Sequence, residues 1–388
     1  MILDKELLAL KENNESLGQK VKELETTIAS MLQRTITKEE MKELLQEGLT
    51  PIVNMLMSSN LFNNNSQQPC NVIMNQINQI EEVIQSDELD TSTGVYSLVE
   101  TEDKRIASGG YDGNISVSSY DIDEKKWKRD IHKKAAHKSR VNSLCVLNGN
   151  RLLSGSRDYS IKAWSVSDTD LTLLKEMKEH TNLVWKVIPL SKERFASCSS
   201  DCTVRIWKDD NTYKRVSTLK HNDSVISVLQ LKGKEVLVST LYGKNKAASG
   251  VSFWNINNNT QQHHIEGYCV CWASHMIELS DGNIALSSGY EPYPVVVIDS
   301  STYQIKKEIQ LKDCITKCSS LCWFSHHSFI YACKGCLVQI SSEDYSIMFQ
   351  AKGGRFNGCY GGLIPVDGGK YFAVENDKRI SIIKLGSA

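Results

Sequence analysis

The sequence predicts an all-β chain folded as a seven-bladed β-propeller, preceded by an N-terminal α-helical coiled coil. Three observations predict it. One frame of residues recurs seven times along the chain. Each copy breaks into apolar runs of strand length, not helix length. The first 31 residues place apolar side chains in alternating steps of four and three.

The frame is clearest in "RLLSGSRDYSIKAW" (151–164) and "RFASCSSDCTVRIW" (194–207). Arg stands first, Ser fourth, Asp eighth and Trp fourteenth in both. "RIASGGYDGNISVS" (105–118) fits with Ser118 in place of Trp, and "KYFAVENDKRISII" (370–383) fits with Ala373 and Ile383. Weaker copies begin at Val236, Asn283 and Ser328, so successive starts lie 46, 43, 42, 47, 45 and 42 residues apart. Repeats of this period build solenoids or propellers. "VNSLCVL", "RLLSGS" and "SIKAWSV" are short, alternate with period two, and are separated by Gly, Asn, Asp and Ser. No copy carries an amphipathic helix, which argues against helical repeats. Three or four short strands per copy are the arithmetic of propeller blades.

This pattern resembles the WD-repeat β-propeller family. The resemblance implies a hydrogen-bonded tetrad in each complete repeat: a His ahead of the first strand, a Ser or Thr of the second strand, the turn Asp and the Trp. A buried carboxylate needs donors, and imidazole, hydroxyl and indole N–H supply them. Carried over by position, the tetrads are His137, Ser154, Asp158, Trp164 and His180, Ser197, Asp201, Trp207. The fourth copy keeps His221, Ser239 and Trp254, lacks the Asp and inserts "GKNKAASG". Copies five and six rest on spacing and alternation alone.

The last copy reaches only a third strand in "RISIIKLGSA", so the ring needs another strand to close. "QIEEVIQSDELD" (79–90) is expected to supply it. The alternative is a continuing helix, because Ile73, Ile77, Ile80 and Ile84 also carry a heptad spacing. The expected organisation is a coiled coil over 1–35, a second helix over 36–57, an Asn/Gln-rich linker over 58–78, and the propeller over 79–388, closed by residues 79–90.

In the coil, Leu3, Leu10, Leu17, Leu24 and Met31 occupy position d, and Leu7, Asn14, Val21 and Ile28 occupy position a. β-Branched residues at a with Leu at d favour two parallel strands, and one Asn at a fixes register. Glu6 would face Lys11 and Lys20 would face Glu25 across a parallel pair. The alternative is an amphipathic helix packed on its own propeller. Beyond it, Thr37 and Glu40 form a capping-box pattern ahead of Met41, Leu44, Leu45 and Leu49, with Pro51 to end the helix.

The chain has 388 residues and a net charge of −1, too neutral for a general binder of nucleic acid. It shows no membrane-spanning apolar run and no signal-peptide core, so a cytoplasmic setting is expected. Its twelve Cys then read as reduced thiols. Cys333-Lys334-Gly335-Cys336 has metal-knuckle spacing but sits where the frame places a hairpin turn, so no metal site is assigned. The basic stretch "KKWKRDIHKKAAHKSR" (125–140) reads as a solvated outer strand, with an anionic partner as the alternative.

No catalytic constellation, Walker-type phosphate loop or cofactor motif is present. The expected function is a non-catalytic protein-interaction scaffold, homodimeric through its coil. The alternative is a G-protein β-like signalling subunit whose N-terminal helix pairs with a smaller partner. The resemblance implies that protein or peptide partners bind the face around the central channel. By position that face holds Tyr96, Tyr111, Arg140, Asn142, Arg157, Leu183, Trp185, Ser200 and Ile226. Trp185 is the expected anchor, with packing between blades as its alternative role.

Overall fold

The computed structural model describes residues 80–387, apart from 91–92, 122–123, 125, 244–248, 268–274, 288–294, 312–318, 326, 334–335, 353–362, 367–370 and 377–378. The expected coiled-coil seam, second helix and linker lie outside the described residues.

The strands run in chain order. The first is β1 (Ile80–Asp90). Then come β2 (Val95–Glu100), β3 (Ile106–Gly110), β4 (Ile115–Asp121) and β5 (Lys126–Lys133), which form blade one. Blade two is β6 (Val141–Leu147), β7 (Arg151–Ser156), β8 (Ile161–Val166) and β9 (Leu171–Met177). Blade three is β10 (Val184–Leu190), β11 (Arg194–Ser199), β12 (Thr203–Lys208) and β13 (Arg215–Lys220). Blade four is β14 (Ser224–Gln230), β15 (Val236–Tyr242), β16 (Gly250–Asn255) and β17 (Thr260–Glu266). Blade five is β18 (Met276–Glu278), β19 (Ile284–Ser287), β20 (Val295–Ile298) and β21 (Ile305–Ile309). Blade six is β22 (Ser319–Ser325), β23 (Ser328–Cys333), β24 (Cys336–Ser341) and β25 (Ile347–Lys352). The chain then adds β26 (Leu363–Val366), β27 (Tyr371–Asn376) and β28 (Arg379–Ser387).

The expected fold class is corrected here. Six blades, not seven, are built from four consecutive strands, and the described residues contain no helix. The last copy does not complete a blade of its own. Its three strands join β1 in a composite sheet of order β1-β28-β27-β26. Ile80 pairs with Ser387 and Asp90 with Arg379, antiparallel, with two register shifts between them. The physical reason is the edge of β28, whose backbone N–H and C=O groups find partners on a strand from the other end of the domain.

The first strands touch in a cycle, β2, β6, β10, β14, β18, β22, β26 and back to β2, and so line the centre of the ring. The core is divided into layers between neighbouring sheets. Ile115, Val141, Leu152 and Trp164 join blades one and two, and Leu153, Val184, Phe195 and Trp207 join blades two and three. Val366, Ala373 and Ile380 of the composite sheet meet Val95, Leu98 and Ile106 of blade one. Strands covered on both faces read as continuous apolar or small residues. In β7 and β11 every position after the first Arg is buried. The outer β9 instead exposes four consecutive positions between Leu171 and Met177.

Two features of the frame have plain structural causes. In blades one and two its fifth residue is a glycine that faces the first valine of the next blade. A Cβ at Gly109 would stand 2.6 Å from Val141 Cγ1, and one at Gly155 would stand 2.8 Å from Val184 Cγ1, so only glycine lets the sheets approach. Its leading Arg clasps the next blade. Arg105 donates to the carbonyls of Ser167 and Asp168, Arg151 to Asp209 and Arg194 to Glu235.

Candidate partner-binding face

The two tetrads fix the turns that carry this face. His137 Nδ1 lies 3.0 Å from Asp158 Oδ2, and its Nε2 lies 2.7 Å from Ser154 Oγ. Trp164 Nε1 donates to the same Oγ at 2.8 Å. Indole only donates, so the Ser154 hydroxyl hydrogen is free to go to His137 Nε2, and Nδ1–H then donates to the carboxylate. The neutral imidazole satisfies this chain. In blade three the same contacts are 2.7 Å from His180 to Asp201, 2.8 Å from His180 to Ser197, and 2.9 Å from Trp207 to Ser197. Burial, opposed by the Asp, keeps both imidazoles below the ordinary histidine range. Burial raises the two Asp, but hydrogen bonds from the His and from Ser160 or Thr203 outweigh it and hold them well below the usual carboxylate range.

Ser160 and Thr203 are members that the sequence reading missed. Each donates a hydroxyl to its Asp at 2.6 Å. Both occupy the tenth frame position, and that coincidence was the available signal. Blade four shows what happens without the Asp. His221 Nε2 still meets Ser239 Oγ at 2.8 Å, but Trp254 Nε1 is buried with no hydrogen-bond partner. Burial, with the charge of His264, pushes His221 down to about 4.

On the same end of the ring, the inner strands of blades one to three break register after their first residue, and that of blade four breaks after its second. The shifts fall between Val95 and Ser97, Val141 and Ser143, Val184 and Lys186, and Val225 and Ser227. Each bulge re-aims one extra side chain, and the four are Tyr96, Asn142, Trp185 and Ile226. The turn residues then dock on the strand entrances. Tyr111 N–H donates to Gly94 O, Arg157 N–H to Arg140 O and Ser200 N–H to Leu183 O, at 2.8, 2.9 and 3.0 Å.

These elements bring most of the expected residues together. Tyr111, 56% exposed, lies 5.9 Å from the ring of Tyr96. The Arg140 guanidinium sits 4.2 Å over Tyr96 and 5.7 Å from Trp185. Its Nε donates to Asn142 Oδ1 at 2.6 Å, and Asn142 Nδ2 donates to Val184 O at 2.7 Å. Trp185 Nε1 donates to Ser200 Oγ at 2.6 Å. Trp185 also packs against the layers on both sides of blade four, the packing role that was its alternative. Arg157 is exposed, and Leu183 is half-buried. Ile226 is corrected: it is buried in the layer between blades four and five and is not part of the exposed face. A β-branched apolar residue at the bulge turns into that layer.

Comparison with known proteins follows the same repeats. Residues 129–165 and 171–208 match the family described as WD domain, G-beta repeat. The described residues form an all-β propeller, two of whose repeats match that family. The nuclear distribution protein nudF of Aspergillus flavus is 30% identical over 143 residues, 35% of this chain and 28% of that protein. The nuclear distribution protein PAC1 of Arthroderma otae is 27% identical over 192 residues, 45% of this chain and 40% of that protein. The match thus spans less than half the length of these relatives. Among solved structures, the WD40 β-propeller domain of Doa1 superposes with a TM-score of 0.63 over 79% of this chain and 97% of that one. At 17% identity the likeness is one of fold. No helix among the described residues is long and apolar enough to cross a membrane.

Proposed function

We propose that this chain is a non-catalytic protein-interaction scaffold whose partners dock on the face formed by Tyr111, Tyr96, Arg140 and Trp185. The observation that carries this reading is the continuous arc of aromatic rings with one arginine between them, held on three neighbouring blades. Aromatic residues and arginine dominate binding energy at protein interfaces. The Arg140 and Trp185 side chains are held by hydrogen bonds before a partner arrives, which lowers the ordering cost of binding. Similarity to nuclear distribution proteins supports an interaction role over catalysis. A cytoplasmic setting fits the buried thiols Cys145, Cys198 and Cys322, none of them in a disulfide.

The scaffold is dimeric in this reading, through residues 1–35, and presents two propellers. Support comes from the heptad pattern with its single Asn14 at position a. Sedimentation equilibrium of the full chain tests this part. A dimer that becomes a folded monomer on deletion of 1–35 is expected. A monomeric full chain at tens of micromolar contradicts it. The face is tested by capturing partners with the wild-type chain and with Trp185→Ala, both checked for folding. Loss of the captured set with Trp185→Ala is expected, and an unchanged set contradicts the reading.

A further inference from the structure

The residue that follows the bulge is serine in three of the four bulged blades. Ser97, Ser143 and Ser227 stand there, but blade three carries Lys186. The serines serve the joints between blades. Ser97 Oγ accepts Leu144 N–H at 2.7 Å, and Ser143 Oγ accepts Val187 N–H at 3.1 Å. Lysine has no acceptor, so Lys186 cannot repeat this contact. Its Nζ donates forward to Ser227 Oγ at 3.2 Å, on a side chain fully buried in blade four.

Lys186 therefore points an ammonium into the ring beside a neutral hydroxyl. No carboxylate among the described residues forms an ion pair with it. The inner strands carry two acids, Glu100 and Glu278, each the last residue of its strand and so at the other end of the ring. Burial holds the Lys186 amine below its ordinary range. Burial, with the charge of Lys186, pushes His275 down to about 3, so that neighbour is a neutral imidazole at physiological pH. On the other side of Trp185, the Arg140 side chain hydrogen-bonds a neutral amide, not an acid. The described acids at this end of the ring are already engaged, and Glu179 pairs with Arg205 and Arg215. Asp112 holds Asn114, Asp223 holds the Ser224 N–H, and Asp158 and Asp201 sit in the tetrads.

The contrast with the opposite end is sharp. There Arg105, Arg151 and Arg194 each meet a carboxylate, on Asp103, Asp209 and Glu235. A partly buried cation without a counter-charge raises the energy of the free protein, and an arriving carboxylate recovers it. We propose that Arg140 and Lys186, flanking Trp185, receive an acidic segment of a partner polypeptide, with one carboxylate to each cation and an apolar side chain on the indole. The proposal rests on the face described above as the docking surface. It adds that the partner is acidic there. Charge complementarity selects this occupant, because the half-buried Arg140 and Lys186 flank Trp185 and each hydrogen-bonds a neutral group.

The test uses the full chain and a fluorescent probe peptide of alternating glutamate and leucine, with glutamine and lysine versions as controls. Anisotropy should show saturable binding of the glutamate peptide, weakened by salt. Lys186→Met and Arg140→Gln should each weaken it about ten-fold or more. The lysine version should not bind, and inorganic phosphate should compete poorly. Two variants at separate positions keep the result readable if one of them folds badly. Equal binding of the glutamine peptide, or no effect of either charge variant while Trp185→Ala still weakens binding, overturns the acidic-partner inference and leaves the face intact. Absence of saturation at about 1 mM peptide also overturns it. Indifference of a captured protein partner to Trp185→Ala overturns the face itself.

Discussion

Arg151 of blade two donates to Asp209 of blade three at 2.7 Å, across the boundary between two sheets that share no strand. The same guanidinium nitrogen lies 3.3 Å from Tyr213 Oη. The Asp209 side chain is only 8% exposed, so the pair is poorly screened. The leading arginine of the frame is thus an intersheet clasp. Arg151→Ala and Asp209→Ala should each destabilise the propeller by about 1–3 kcal/mol, with a coupling energy of about 1 kcal/mol in a double-mutant cycle. Chemical denaturation of the four proteins checks this. Additive effects would show that the residues do not act on each other.

The tetrads predict an asymmetry between tryptophans. Trp207 Nε1 donates to Ser197 Oγ, whereas Trp254 Nε1 has no hydrogen-bond partner. Trp→Phe removes similar volume at both sites but a satisfied donor only at Trp207. Trp207→Phe should therefore cost about 1–3 kcal/mol more than Trp254→Phe. Equal costs in urea unfolding would mean that the indole bond in blade three contributes nothing.

Acidification should weaken the fold in two stages. His137, His180, His221 and His275 are all depressed below the ordinary histidine range by burial. For such groups the unfolded chain binds protons first, so their contribution is complete above about pH 6.5 and falls as the pH drops below it. His221, at about 4, alone accounts for about 2–3 kcal/mol lost by pH 4. Asp158 and Asp201 are also depressed, so a second loss begins as the pH falls through the ordinary carboxylate range, near 4. Thermal melts from pH 8 to pH 3.5 check this. His221→Gln should flatten the first stage. A stability flat from pH 7 to pH 4.5 would contradict it.

Much of this architecture is written in local chemistry, and that part was legible. The frame of 151–164 and 194–207 places His, Ser, Asp and Trp at fixed offsets, and the structure brings them within hydrogen-bond distance. Repeat spacing gave six consecutive blades their strands, even in blades five and six, where the polar signature is lost. The spacing could not say that the last copy would be completed from the other end of the chain. Register between β1 and β28 is a long-range property, and Ile80 and Ile84 fit a helix as well as a strand. Nor could the frame reveal the bulges. They sit in the inner strands, outside the repeated letters, and they decide which side chain leaves the sheet. Ile226 stands at such a bulge too, but its apolar side chain packs into the layer between blades four and five. The lysine at 186 stands out only when its strand is set beside the three that carry serine.

Closure makes a prediction of its own. β28 pairs with β1 along most of its length. A chain beginning at Val95 leaves β28 as an open edge, whereas one beginning at Asn71 retains its partner. The shorter chain should melt several degrees lower and aggregate on heating. Equal melting of the two would show that β1 contributes nothing to the ring.

The central claim is that partners engage the Tyr111–Tyr96–Arg140–Trp185 face. It is tested most directly by quantitative capture with three folded full-length proteins: wild type, Trp185→Ala, and Leu173→Asp on the exposed outer strand of blade two. The account predicts that Trp185→Ala loses the partners that wild type binds and that Leu173→Asp keeps them. Retention by Trp185→Ala together with loss by Leu173→Asp would contradict it and place binding on the outer edge of the ring.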